Sequence, residues 1–186
     1  MPAIEVSAQH GKLLSLLVAA TGATRVLEIG TLAGYSTINL ARGAGAAGRV
    51  ITLEYSPDHA EVAKANFEQA AVADRVEVLV GAALDTLPQL AERGEQFDFF
   101  FIDADKENNR AYVEWAVRLA VPGALIVIDN VTRMGRVLEP AEDDLQARGV
   151  RDMLELLGNH PGLEAAAIQT VGTKGWDGFA VARVGQ

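Results

Sequence analysis

Through residue 128 the chain alternates short apolar runs with stretches of helical periodicity, and that alternation admits few folds. The runs are Arg25 to Ile29, Arg49 to Glu54, Arg75 to Val80, Phe97 to Ile102 and Ala124 to Ile128. Each has the length of a strand, and the fourth, Phe97-Asp98-Phe99-Phe100-Phe101-Ile102, is apolar enough to demand a central place in a sheet. The intervening segments predict helices over Tyr35 to Arg42, Ser56 to Ala71, Thr86 to Arg93 and Asn108 to Ala120, with another over Ser7 to Ala20 ahead of the first strand. There the density of Leu13, Leu14, Leu16, Leu17 and Val18 predicts a helix packed on a sheet. Such alternation requires parallel strands joined by right-handed crossovers, hence an α/β protein. After residue 128 the pattern changes. A loop from Val131 to about Ala141 leads to a helix over Glu142 to Leu157. Two strands, Leu163 to Thr170 and Gly178 to Val184, then flank the turn Gly172-Thr173-Lys174-Gly175-Trp176-Asp177. So short a link predicts an antiparallel hairpin. The 186 residues suffice for one full core, and no linker divides them, so residues 1–186 are expected to form a single domain.

Composition narrows the class of function. A hydrophobic share of 49% with 6% aromatics and 18 glycines suits an alanine- and valine-rich globular chain and not a disordered or fibrous one. No apolar run reaches membrane-spanning length, and the first residues lack a basic segment followed by an apolar one. A soluble, cytoplasmic protein with no membrane partner is expected. Zero cysteines exclude disulfides and thiolate metal sites. A net charge of -9 with no compensating Lys/Arg cluster argues against a nucleic-acid partner.

The stretch from Val26 to Ser36 reads as a buried strand, a glycine turn and the start of a helix. Gly30 and Gly34 allow a sharp turn and a close approach of backbone to a ligand. A dinucleotide fingerprint needs three glycines in G-x-G-x-x-G; here Thr31, Leu32 and Ala33 separate only two. Glu28, just before the first glycine, would repel phosphates but suits a cationic amino-acid group. Glu54 ends the second apolar run, where a carboxylate can accept both hydroxyls of a ribose. An ammonium group, a ribose and no phosphate describe S-adenosylmethionine (SAM).

A second set of residues lies at the ends of later strands. Ligands in open parallel sheets bind beyond the carboxyl ends, a rule that gathers Gly30, Glu54, Gly81, Asp103 and Asp129. Asp103 follows the fourth strand and Asp129-Asn130 the fifth. Two carboxylates and an amide, with no histidine or cysteine, suit a hard cation, Mg²⁺ or Ca²⁺, with Mg²⁺ preferred. The plainer alternative is that Asp103 or Asp105 caps the next helix and Asp129-Asn130 forms a turn. Lys106, in the first turn of that helix, opposes the macrodipole, and a metal beside it would lower its pKa toward that of a base.

Together these residues resemble the metal- and SAM-dependent O-methyltransferases of the catechol and caffeoyl-coenzyme A type, including their small bacterial relatives. The likeness runs from Val6 to Val184. Its specific parts are Leu27 to Ser36, Ile102-Asp103-Ala104-Asp105-Lys106 and Ile128-Asp129-Asn130-Val131. The resemblance implies a Rossmann-like class I SAM methyltransferase fold. Its sheet would be seven-stranded and mostly parallel, with helices on both faces and an antiparallel last strand inserted between the fifth and sixth. It implies that Glu28, Gly30, Thr31 and Gly34 line the methionine end of SAM, with Ser36 near the carboxylate and Val6 approaching through its backbone. Glu54 would hold the ribose beside Tyr55, Ala82 and Ala83 would flank the adenine, and Asp103 would also face the cofactor. Asp103, Asp129 and Asn130 would bind Mg²⁺ or another divalent cation, and Lys106 would act as general base on a small aromatic acceptor. Chelated vicinal hydroxyls would lose a proton near neutral pH, giving a methyl ether and S-adenosylhomocysteine (SAH).

Relatives usually carry a further helix or two before the segment matching Ser7; these help cover the active site and form a dimer interface, so a homodimer is a further expected partner. Relatives often place an aromatic residue where this chain has Thr132-Arg133-Met134. Arg133 and Arg136 read either as surface charges or as a site for an acceptor with a carboxylate tail. Trp176 either stacks on an aromatic acceptor or covers the end of the sheet. Trp115 and Tyr112, at helical spacing, read as core, and His10, His59 and His160 are assigned no chemistry. Two other functions stay open: a metal-independent SAM methyltransferase acting on nitrogen or carbon, and a non-catalytic SAM-binding protein.

Overall fold

The structure is a computed structural model that describes residues 5–172 and 175–185. The chain divides into two compact units, one through Phe99 and one from Phe100, so that the division falls within a strand. In the first unit, α1 (Ala8–Thr21) begins where the Ser7 hydroxyl accepts the His10 amide at 3.1 Å and ends at Gly22, which is left-handed. Leu14 and Val18, one turn apart, are fully buried, whereas Leu16 is exposed. The packed face is thus narrower than the density of leucines predicts.

Three parallel neighbours form this unit's part of the sheet: β1 (Arg25–Ile29), β2 (Arg49–Glu54) and β3 (Val76–Val80). Their register sets Glu28 beside Thr52 and Glu54 beside Val80. Between them run α2 (Tyr35–Gly43) and α3 (Pro57–Gln69). Ser56 caps α3 and Pro57 opens it, as the Ser-Pro pair predicts. It stops two residues before the predicted Ala71, which adopts a left-handed φ of 53°. The next helix, α4 (Ala83–Glu92), starts three residues before the predicted Thr86 and holds Pro88 inside it. Then comes β4 (Phe97–Ile102), whose Phe99, Phe100, Phe101 and Ile102 are fully buried.

In the second unit a 3₁₀ turn, Lys106–Asn108, precedes α5 (Asn109–Leu119). Tyr112 is buried as predicted; Trp115 is only half-buried, with the Arg118 guanidinium 4.9 Å from its ring centroid. The fifth strand, β5 (Ala120–Asp129), begins four residues before the predicted Ala124 and carries Pro122-Gly123 within it. The sixth helix, α6 (Leu145–Asn159), starts after the predicted Glu142 because Asp144 supplies its cap, accepting the Ala147 amide at 3.0 Å. Two strands close the chain, β6 (Leu163–Gly172) and β7 (Gly175–Val184).

The final pair is the predicted antiparallel hairpin, but longer. Pairing continues through Thr170↔Asp177 and Val171↔Trp176 to Gly172↔Gly175, so Trp176 and Asp177 belong to β7. Of the predicted turn, Thr173 and Lys174 lie outside the described residues. β7 is antiparallel to β5 as well, from Leu125↔Arg183 to Asp129↔Phe179. The strand order is β3-β2-β1-β4-β5-β7-β6, a seven-stranded, mostly parallel sheet with the last strand inserted antiparallel. Among the described residues no helix is long and apolar enough to cross a membrane.

Candidate active site

In the first unit the glycine turn joins β1 to α2 through three left-handed residues, Gly30 (φ 99°), Leu32 (φ 50°) and Gly34 (φ 81°). The Gly30 amide donates to Leu53 O at 3.0 Å and the Gly34 amide to Thr31 O at 2.8 Å. A side chain at Gly34 would collide with α3, since a Cβ there would lie 2.3 Å from the Phe67 ring. The second glycine therefore has a packing reason beyond any ligand. Asn66, also on α3, donates to Ala33 O at 2.8 Å and ties the turn down from the same side.

Glu54 holds this turn through its carboxylate. Its Oε2 accepts the amides of Thr31 at 3.2 Å and Leu32 at 2.8 Å, its Oε1 accepts that of Ser56 at 2.9 Å, and His59 Nδ1 lies 3.4 Å from Oε1. A carboxylate offers about four acceptor positions. Three take amides and the fourth faces a histidine, where the sequence leaves both oxygens open to a ribose. Glu28 is wholly buried and accepts the hydroxyls of Thr37 and Thr52, the latter at 2.6 Å. Thr31, buried, completes the chain through its hydroxyl, 2.6 Å from that of Thr52. Val6 and Ser36 are buried, while Tyr55 is 79% exposed. Ala82 precedes α4 and Ala83 opens it, both partly exposed and next to Gly81, whose amide donates to Glu54 O at 2.9 Å.

The second unit brings the predicted acids and lysine together. Lys106, 5% exposed, extends its ammonium to Asp103 Oδ1 at 2.7 Å. That ion pair is the reason for a cation at this helix start. Room is tight: a Cβ on Gly149 of α6 would lie 2.4 Å from Lys106 O. Asp105 makes no capping bond, which removes the helix-cap alternative for it. Its carboxylate instead accepts the Tyr112 hydroxyl at 2.6 Å and the side-chain Nδ2 of Asn108. Burial and that bond push the Tyr112 hydroxyl up from its ordinary range.

Asp129, 8% exposed at the end of β5, accepts the Asn130 amide on Oδ1 at 2.8 Å. Asn130 is left-handed, with φ 60°. Burial first, and the neighbouring Asp103 second, push the Asp129 carboxyl up to about 7, with Lys106 pulling the other way. Among the described residues no group of three or more His, Cys, Asp or Glu is placed to hold a metal; the candidate donors from the sequence are the Asp103 and Asp129 carboxylates and the Asn130 side chain. The chemistry of that set fits a hard divalent cation: the carboxyl of Asp129, pushed up by burial and by the neighbouring Asp103, is relieved by a positive charge beside it.

Asp177 was missed by the sequence reading, which placed it in a turn. Its Oδ1 accepts the amides of Thr132 (3.0 Å), Arg133 (2.9 Å) and Gly178 (2.9 Å) and the Thr132 hydroxyl (3.1 Å). The segment after Asn130 is thereby locked to β7. A polar residue close to glycine in the last hairpin was the only signal available for it.

Residues 1–183 match the family described as O-methyltransferase. The catechol O-methyltransferase of Mycobacterium tuberculosis is 64% identical over 184 residues, covering 99% of this chain and 82% of that protein. Among solved structures, an O-methyltransferase from Bacillus cereus in complex with SAH is 53% identical, with a TM-score of 0.96 over 98% of this chain and 84% of its own. Another, from Streptomyces achromogenes, is involved in tomaymycin synthesis and was solved in complex with SAM. It is 45% identical, with a TM-score of 0.96 over 100% of this chain and 84% of its own.

Proposed function

From the premise that this chain belongs to the O-methyltransferase family and is a SAM-dependent O-methyltransferase, we propose that it methylates one hydroxyl of a small catechol-like or caffeoyl-type aromatic with a divalent cation bound. The observation that carries the acceptor and metal reading is the buried Asp129 within electrostatic reach of Asp103, which itself pairs with the buried Lys106. Asp103, Asp129 and Asn130 would hold the cation, Mg²⁺ by preference for oxygen donors. When bound, the cation lowers the proton affinity of chelated hydroxyls, and SAM supplies an electrophilic methyl group.

This chain's residues supply the rest. Lys106 takes the hydroxyl proton on Nζ only after the ammonium that pairs with Asp103 has given a proton of its own to solvent, so that the base enters the step as the neutral amine. Glu54 accepts the ribose by exchanging a contact it already makes, either the His59 ring or one of its three amides. Gly30 and Gly34 shape the turn against which the methionine end lies. Orientation of hydroxyl and methyl in a near-attack arrangement supplies much of the acceleration.

The test is transfer of labelled methyl from SAM to catechol and caffeoyl-type acceptors, with Mg²⁺ and with excess chelator. Transfer that vanishes with chelator supports the reading. Transfer unchanged by chelator removes the cation, and SAM binding without transfer to any of these acceptors removes the acceptor class.

A further inference from the structure

We propose that Arg133 binds a carboxylate carried by the acceptor, and that Asp177 holds it in position to do so. The inference rests on the catechol-type acceptor proposed above. Arg133 stands three residues beyond Asn130, in a 3₁₀ turn, Arg133–Gly135. Its backbone (φ 49°) and that of Met134 (φ 55°) are both left-handed, a conformation that side chains larger than glycine adopt only when their surroundings impose it. Two contacts from β7 impose it. Asp177 Oδ1 takes the amides of Thr132 and Arg133, and the Trp176 ring lies so close to Gly135 that a Cβ there would be 3.2 Å from it. Trp176 therefore lies against this turn, with 39% of its surface still exposed.

Of the arginines near the turn and its neighbouring helices, three form ion pairs, and Arg148 donates to Glu142 O. Arg136 pairs with Asp144 at 2.6 Å, Arg151 with Glu155 at 3.3 Å and Arg110 with Glu114 at 3.2 Å. Asp144 also accepts the Ala147 amide. Arg133 forms no ion pair among the described residues, although Asp144, which pairs with Arg136, lies within its electrostatic reach; its guanidinium donates to the neutral Gln146 Oε1, and its Nε is buried with no acceptor. A partly buried guanidinium with a donor left unmet is poorly explained as structure, because each unmet donor costs free energy. A planar fork held by a neutral amide, on a locked turn beside the candidate metal ligands, is suited to a carboxylate brought in by the acceptor.

The experiment compares a vicinal dihydroxybenzoate with its neutral methyl ester on the full chain, for wild type, Arg133→Met, Arg133→Lys and Asp177→Asn. The inference expects the acid-to-ester ratio of kcat/KM to fall about tenfold or more in Arg133→Met, mainly through KM of the acid, as loss of one charge-assisted contact predicts. Arg133→Lys should recover part of the ratio, and Asp177→Asn should lower it. Calorimetric binding of the dihydroxybenzoate should weaken in parallel. A ratio within about twofold of wild type in Arg133→Met overturns the inference, while turnover of the ester leaves the proposed activity standing. Wild-type protein that binds SAM yet methylates neither compound overturns the acceptor reading, and this inference with it.

Discussion

Magnesium titrated into the protein should have to displace a proton from Asp129. Burial and the nearby Asp103 push that carboxyl up to about 7, Asp177 adds to the rise, and Lys106 and the Asn130 amide oppose it. A group with that pKa is ionised in about one molecule of eleven near pH 6 and about ten of eleven near pH 8, so the apparent affinity for Mg²⁺ should rise about tenfold between them. Isothermal titration at both values, in buffers of different ionisation enthalpy, reads the affinity and counts the released proton directly. Asp129→Asn carries no proton to displace and should bind weakly with the pH dependence gone. Stability without metal runs the other way. A carboxyl raised above its ordinary 3.8 is fully tolerated only when protonated, so its contribution declines as the pH climbs from that value through about 7. Affinity equal at both pH values, with no proton released, would refute the reasoning.

Three further outcomes are expected. Lys106→Met should lower kcat by about a hundredfold or more while calorimetric SAM binding persists; a loss of about threefold or less would remove Lys106 as the base. Gly34→Ala should cost about 2 kcal/mol or more in urea unfolding, from overpacking against Phe67 and the left-handed backbone. Phe67→Leu in the same chain should return part of that loss, and no recovery would mean that packing is not the reason for the glycine. Thr37→Val should cost about 1–3 kcal/mol by stripping a donor from the buried Glu28 carboxylate, and an unchanged urea midpoint would contradict the assigned bond.

What could be read in advance was what depends on neighbours in sequence. Asp103 and Lys106 stand three apart where a strand meets a helix, and the structure pairs them; the Phe97 to Ile102 run is as buried as its composition demands. What could not be read depends on partners far along the chain. Asp177 holds Thr132 and Arg133 across about 45 residues, and its position in a strand follows only from pairing with Thr170. Local signals also misled where two were in competition. Pro122-Gly123 looks like a break before β5 and instead lies inside it, and Glu142 looks like a helix start although Asp144 makes the capping bond. Glu54 was legible as a carboxylate at a strand end. The amides that fill it belong to a left-handed turn whose shape no spacing of glycines specifies.

The collision that awaits any side chain at Gly34 bears on descent. Phe67 demands that glycine whether or not a cofactor is ever bound, and Glu54 fastens the same turn by accepting the Thr31 and Leu32 amides. A lineage that lost its activity would keep both residues under selection for folding alone. Pseudoenzymes of this architecture should therefore retain Gly34 and the acid at the end of β2 while drifting first at Arg133 and the Asp103, Asp129 and Asn130 set, and it is erosion there that would mark the loss.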